Sequence, residues 1–270
     1  MDSRTGPLDA RRVADGNRVL MGKEVKLHVG CCGFPMAHAA YYKRFPVIEV
    51  QQTFYQPPRI ATLDRWRAEA PEGFQFTLKA WQLITHEPSS PNYRRLRMPI
   101  PTGKRERYGA FRPTPEVFAA WESTLACARA LQARIVVFQS PASFTPTPHH
   151  LENLHGFFAK LRNTPHGPTL AWEPRGWPLE QAAAVCQELE LVRVVDPFDN
   201  TPPETGLRYF RLHGVTGYGY QYSDPDLERL RASCRGTTYC LFNNASMVED
   251  ASRFLARAGA SDFVSPVYRG

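Results

Sequence analysis

Eight short apolar runs recur along this chain, and each is followed by residues patterned as turn or helix. The runs are Lys26–Gly33, Val47–Phe54, Phe74–Trp81, Arg134–Ser140, Thr169–Arg175, Leu191–Pro197, Arg208–Gly214 and Thr237–Asn243. Runs of this length bounded by turn residues read as buried strands. Parallel strands need long crossovers, usually helical. The intervening segments supply them with legible starts. Thr114-Pro115 and Thr147-Pro148 each place a capping hydroxyl before a proline at the first helical position, ahead of 116–131 and 149–162. Ser246 through Glu249 has capping-box spacing before 247–258, and Ser223-Asp224-Pro225-Asp226 opens 224–233. Residues 59–70 and 179–189 are amphipathic. Eight strands alternating with helices predict an α/β fold, a single (β/α)8 TIM-type barrel. The alternative, an open doubly wound sheet, usually carries a Gly-rich first turn, and Gly30-Cys31-Cys32-Gly33 is not one.

The barrel is expected over 24–270. Residues 1–23 are polar and aperiodic and read as a disordered extension, with Met21-Gly22-Lys23 as an alternative start. One connection is too long for a compact barrel. After strand three, 82–114 carries Pro88, Pro91, Pro99, Pro101 and Pro113 together with Arg94, Arg95, Arg97, Lys104, Arg105, Arg107 and Arg112. Loops of this length are usually functional or disordered. In a barrel this one lies at the C-terminal face, where active sites are built. It reads as a basic lid or groove for a phosphate backbone, or else as a solvated excursion.

A hydrophobic content of 43% is enough for a core, and the formal charge of +7 suits an anionic partner, nucleic acid or a phosphorylated small molecule. No apolar run is long enough to span a membrane and no apolar signal core opens the chain, so a cytoplasmic protein is expected. Six cysteines without a CxxC pair do not form a disulfide framework.

Seven sequence blocks carry a family likeness. They are Val29–Phe34; Ile48–Tyr55; Phe74–Lys79 with Thr85-His86; Val137–Pro141 with Ser143-Phe144; Trp172–Trp177; Tyr209–Gly214; and Phe242–Asn244. In this order they resemble the YecE-like family, domain of unknown function 72, over Lys26 to Phe263. The resemblance implies a TIM-type barrel and leaves the chemistry to the residues. Two departures fall at the expected barrel mouth. The first block runs Cys-Cys-Gly-Phe-Pro where the family often has a Trp-containing turn, and Gln51 stands where Asn is common.

Polar residues gather at the strand C-termini: Glu49 and Gln51, Thr77 and Lys79, Gln139, Glu173 and Arg175, Asp196, Arg211 and His213, and Asn243. Within a strand each pair is two apart and shares a face. In a closed barrel that face is the interior, where strands converge. Isolated polar groups there are costly unless paired, so the set is a site or a self-satisfied network.

Glu49, Lys79, Glu173 and His213 are the candidate catalytic groups. Glu173 beside Trp172 is expected to have a raised pKa suited to acid–base work, unless it pairs with Arg175 or Arg211. Lys79 would stabilise an oxyanion or pair with Glu49. Gln51, Tyr55, His86, Arg94, Arg95, Gln139, Arg175, Asp196, Arg211, Tyr222 and Asn243 are candidate substrate-binding groups, with Tyr55, His86 and Tyr222 expected at the rim. Glu49, Glu173, Asp196 and His213 offer oxygen and imidazole ligands for a divalent metal, though without HExxH or HxH spacing. An iron–sulfur centre at Cys31 and Cys32 is left open by their place at the mouth, against the absence of further ligands. The reading favoured on these grounds is a hydrolase of phosphodiesters, nuclease-like and metal-dependent. The alternatives are a small-molecule enzyme on a sugar or phosphometabolite and a non-enzymatic ligand-binding protein.

Overall fold

The computed structural model describes residues 25–162 and 167–257; the extension expected over 1–23 lies outside them. Eight parallel strands close into a barrel in chain order, with β1 pairing both β2 and β8. They are β1 (Lys26–Cys32), β2 (Val47–Val50), β3 (Gln75–Lys79), β4 (Ile135–Gln139), β5 (Thr169–Glu173), β6 (Val192–Val195), β7 (Arg208–Leu212) and β8 (Thr237–Phe242). The helices are α1 (His38–Tyr42), α2 (Gln52–Tyr55), α3 (Ile60–Glu69), α4 (Gln82–Thr85), α5 (Pro115–Leu131), α6 (Pro148–Leu161), α7 (Leu179–Glu188), α8 (Asp224–Ser233) and α9 (Met247–Arg257). The (β/α)8 barrel expected from the alternation is the observed fold.

Alternation along the strands sorts the core into two bodies. One face of each strand meets the helices: Ile48, Val50, Phe76, Leu78, Val136, Phe138, Trp172, Phe210 and Phe242 pack there with Trp121, Phe157 and Phe254. The other face fills the barrel with Cys32, Val47, Ile135, Val137, Ala171, Val194, Tyr209, Tyr239 and Leu241. The barrel is thus a packed interior, with His28, Gln75 and the Tyr239 hydroxyl at its N-terminal end and its charged groups gathered towards the C-terminal mouth. Gly30 is required where β1 meets β2, because a Cβ there would stand 2.0 Å from the Val47 carbonyl oxygen.

Thr114 and Thr147 cap their helices as expected, each hydroxyl accepting from a backbone N–H three residues on, Val117 at 3.3 Å and His150 at 3.2 Å. Ser223 and Asp226 form a reciprocal capping box at α8.

Two expectations are corrected. The second strand stops at Val50, four residues short, because Gln51 already has helical dihedrals (φ −89°, ψ −25°) and is the N-cap of α2. Thr53 therefore leaves the face of Glu49, and its hydroxyl bonds the carbonyls of Val50 (3.1 Å) and Lys79 (2.7 Å). The long 82–114 connection is not one open loop. It contains α4 and two 3-10 turns, Pro91–Arg95 and Thr102–Arg107. It is fastened back on itself, with Gly109 N–H donating to Leu83 O and Phe111 N–H to Ile84 O, both at 2.8 Å, and Phe111 is buried in the core. Among the described residues no helix is long and apolar enough to cross a membrane.

Candidate functional site

The polar end of the interior is organised by Arg211 of β7. Its guanidinium is almost wholly buried and bridges two carboxylates from opposite walls. It pairs with Glu49 of β2 at 3.2 Å and binds Glu173 of β5 directly, while Gln139 of β4 accepts from it at 3.3 Å. Bidentate geometry is what makes arginine suited to such a buried pairing. Its Nε has no hydrogen-bond partner among the described residues. Below the guanidinium, Tyr209 donates to Glu49 at 2.7 Å and lies at 2.7 Å from the Thr77 hydroxyl. Having spent its one proton on Glu49, Tyr209 accepts from Thr77. Gln51 donates to the other oxygen of Glu49.

Glu49 is consequently 0% exposed, with both oxygens committed. It lies beneath the cavity and orients Arg211; it does not reach ligand space. Glu173 is also not the raised-pKa acid expected from its apolar neighbour. The Trp172 ring faces the outer core and its indole N–H binds the Ser140 hydroxyl at 3.2 Å. Burial alone would raise the Glu173 pKa, but Arg211 and then Arg175 outweigh it and hold the carboxyl well below the usual range. Arg175 donates its Nε to Glu173 at 2.9 Å and its Nη2 to His213 Nε2 at 3.0 Å. Since a guanidinium only donates, His213 accepts at Nε2 and carries its proton on Nδ1, which faces Asp196 at 3.5 Å. Asp196 in turn accepts from the backbone N–H of His213 at 2.9 Å.

Lys79, the last residue of β3, differs from all of these. It is 6% exposed and forms no ion pair among the described residues, since the acids nearest to it are taken by Arg211 and Arg175. Its Nζ sits 3.6 Å from the centroid of the Phe54 ring. Burial and then the charge of Arg211 lower its pKa to about 7, with Glu173 and Glu49 pulling the other way and Arg175 adding to the depression.

These groups border a cavity of about 780 Å³ at the C-terminal mouth. A volume of this size suits a small-molecule ligand. Lys79, Glu173, His213, Gln51, Tyr55, Gln139, Arg175, Asp196, Arg211 and Asn243 all line it. The remaining candidates lie elsewhere. His86 is buried against Thr85 (2.8 Å) and Phe54, and burial followed by Lys79 depresses its pKa to about 3. Tyr222 is not a rim group: it is buried, with its hydroxyl held by the Gly214 N–H at 2.8 Å. Arg94 is exposed on the long connection, beside Pro88 and Leu96. Arg95 stacks over the Tyr55 ring at 4.1 Å and reaches the cavity only through it.

The residues anticipated as metal ligands do not converge. Glu173 and Asp196 flank opposite nitrogens of His213, and Glu49 is separated from them by the guanidinium it binds. Among the described residues no three His, Cys, Asp or Glu side chains are placed to hold a metal ion. The cysteines do not fit an iron–sulfur centre. Cys31 faces the helical layer and Cys32 the barrel interior, their thiols meet the carbonyls of Met247 and Leu241, and burial pushes the Cys31 pKa up to about 12 and that of Cys32 well above the ordinary value.

Two contributions were missed from sequence. Tyr209 stands two residues before Arg211 and four before His213, so the same spacing rule selects it. The loop Gly214–Tyr218, together with Asp199 and Asn200, also lines the mouth and has no comparable periodic signal. Gly214 is needed there: its φ is +87° and a Cβ would stand 2.2 Å from the Gly217 carbonyl oxygen.

The described fold is similar to solved barrels. A DUF72 family protein of Enterococcus faecalis V583 aligns at TM-score 0.62 and 18% identity, over 87% of this chain and 99% of that one. A DUF72 family protein of Thermotoga maritima MSB8 aligns at 0.60 and 18%, over 86% and 98%. D-psicose 3-epimerase from Clostridium cellulolyticum H10, solved with D-tagatose, aligns at 0.54 and 10%, over 86% and 97%. At these identities the likeness is one of fold. No curated protein matches the chain. The model of the family described as protein of unknown function DUF72 matches residues 37–266, and the chain therefore belongs to the DUF72 family.

Proposed function

We infer that the protein is an enzyme acting on a small polar metabolite held in the mouth cavity, with Lys79 as the reacting group. The observation that carries this reading is the state of Lys79 among its neighbours: a buried lysine bordering an open cavity, without an ion-pair partner among the described residues, while Glu49 and Glu173 are held by Arg211. A structural lysine in a barrel would be paired. An amine with a pKa of about 7 is half uncharged near neutrality, the condition for a base or nucleophile. Arg175, whose side chain is 43% exposed at the cavity, is placed to stabilise negative charge developing on a ligand oxygen. The amides of Gln51, Gln139 and Asn243 suit hydroxyl groups of the ligand.

The phosphodiester hydrolase expected from sequence has less support. Much of the basic connection is spent internally: Arg107 and Lys104 pair with Glu116, Arg112 with Glu87, and Arg105 donates to the Pro88 carbonyl at 2.8 Å. The donors expected to hold a metal are committed to Arg211, Arg175 and His213. A panel of sugars, sugar phosphates and short keto and hydroxy acids, scored by thermal shift, tests the reading. A stabilising ligand whose effect disappears in Lys79→Met is expected. A ligand that stabilises both proteins equally, or a panel without any stabiliser, contradicts it.

A further inference from the structure

We propose that Lys79 acts by covalent catalysis, condensing with the carbonyl group of an aldehyde or ketone metabolite to form an imine. This rests on the reading of the mouth cavity as a small-molecule active site, and it specifies the substrate class and the bond made.

Geometry separates a nucleophilic amine from an anion-binding ammonium. An anchoring ammonium is kept charged by a facing carboxylate. At Lys79 the Phe54 ring on α2 stands 3.6 Å from Nζ, and the charges acting on the amine come from Arg211 of β7 and Arg175 beyond β5 as well as from Glu173 and Glu49. Glu49 and Glu173, the two carboxylates within range, are held by Arg211. A cation beside a desolvated lysine is an arrangement that frees its lone pair. The aliphatic stem is fixed by burial at the end of β3, so the amine is presented from a rigid strand and not from a loop.

The chemistry closes without a further reagent. The amine lone pair attacks the carbonyl carbon, and a proton lost from nitrogen passes to the carbonyl oxygen, giving a carbinolamine. The hydroxyl then takes up one proton from solvent and leaves as water while the C=N bond forms, so amine, carbonyl and proton yield a protonated imine and water. Arg175 at the cavity wall steadies the oxygen in the first step. His213 and Tyr55, which border the same cavity, are the side chains available to pass protons. The resulting iminium withdraws electrons from the adjacent carbon, where bond cleavage or proton exchange would follow.

The test uses the full chain with glyceraldehyde, dihydroxyacetone, glycolaldehyde, pyruvate and glyoxylate as probes. Each is incubated at neutral pH with sodium cyanoborohydride, which reduces an imine to a stable secondary amine, and the digest is read by mass spectrometry. The exposed Lys43, Lys104 and Lys160 are internal references in the same sample. At least one probe is expected to label Lys79 saturably and about 10-fold or more faster than the references, as its larger uncharged fraction dictates. Labelling of Lys79 no faster than the references with every probe overturns the imine. If metabolites stabilise the wild type but not Lys79→Met and no adduct forms, the imine falls while the small-molecule site stands. If neither stabilisation nor adduct is found, both fall. Folding of Lys79→Met is checked by circular dichroism. The labelling comparison is made within wild-type protein and does not depend on that variant.

Discussion

Arg211 and Lys79 are basic side chains buried at the same barrel mouth, and their partners give them opposite roles. Arg211 holds two carboxylates and an amide, so its removal leaves Glu49 and Glu173 buried and unpaired. Arg211→Met is expected to cost about 3–5 kcal/mol in urea denaturation. Arg211→Lys should recover little, because a point charge cannot span both acids. Glu173 makes a matching prediction with pH. Its folded pKa lies below the ordinary 4.5, so the stability it contributes is full above that value and is lost only as pH falls through the depressed folded value. The stability gap between wild type and Glu173→Gln should therefore be constant from neutral pH down to about 4.5 and shrink below it. A gap that shrinks between pH 7 and 5 would mean that the carboxyl is not held by its arginines. The strand-borne part of the ring was legible because residues two apart share a strand face. For Glu173 the sequence left a raised pKa and a pairing with Arg175 or Arg211 as alternatives, and the pairing is the one observed. The partner that decides Glu173 is Arg211, from a strand far along the chain, whereas the tryptophan next to it in sequence points away.

At the scale of elements, the local signals were the dependable ones. A hydroxyl followed by proline specifies a helix start by chemistry confined to four residues, and both Thr114 and Thr147 cap as anticipated. Thr114→Ala and Thr147→Ala should each cost about 1 kcal/mol by thermal denaturation, without affecting the mouth. Strand ends were overrun because apolar or alternating residues continue past the last ladder partner. Gln51, Arg175, Asp196, His213 and Asn243 lie just beyond β2, β5, β6, β7 and β8, in the loops that form the cavity wall. The long connection after β3 was recognised by length and charge, but its internal pairing depends on contacts such as Arg112 with Glu87 that no spacing rule supplies. At β1, Gly30→Ala is expected to impair folding through its collision with the Val47 carbonyl, lowering soluble yield and Tm.

For the molecule as a whole, fold and family follow from the strand count, the seven ordered blocks and the DUF72 match, while the chemistry depends on how the ring partitions its charges. A formal charge of +7 admitted nucleic acid as a partner; internal pairing leaves that net charge unchanged but ties Lys104 and Arg107 to Glu116 and Arg112 to Glu87 within the long connection. Binding of single- or double-stranded oligonucleotides should accordingly be weak and nonspecific, and EDTA should leave metabolite binding unchanged; a tight, steeply salt-dependent complex would restore the phosphodiester reading. The central claim is that Lys79 presents an uncharged amine at neutral pH. Competitive acetylation with trace anhydride across a pH series, read by mass spectrometry at each lysine, measures this directly. Half-maximal reactivity of Lys79 is predicted near pH 7, with the exposed Lys43 and Lys160 as references in the same digest. A Lys79 that titrates with those surface lysines would contradict it.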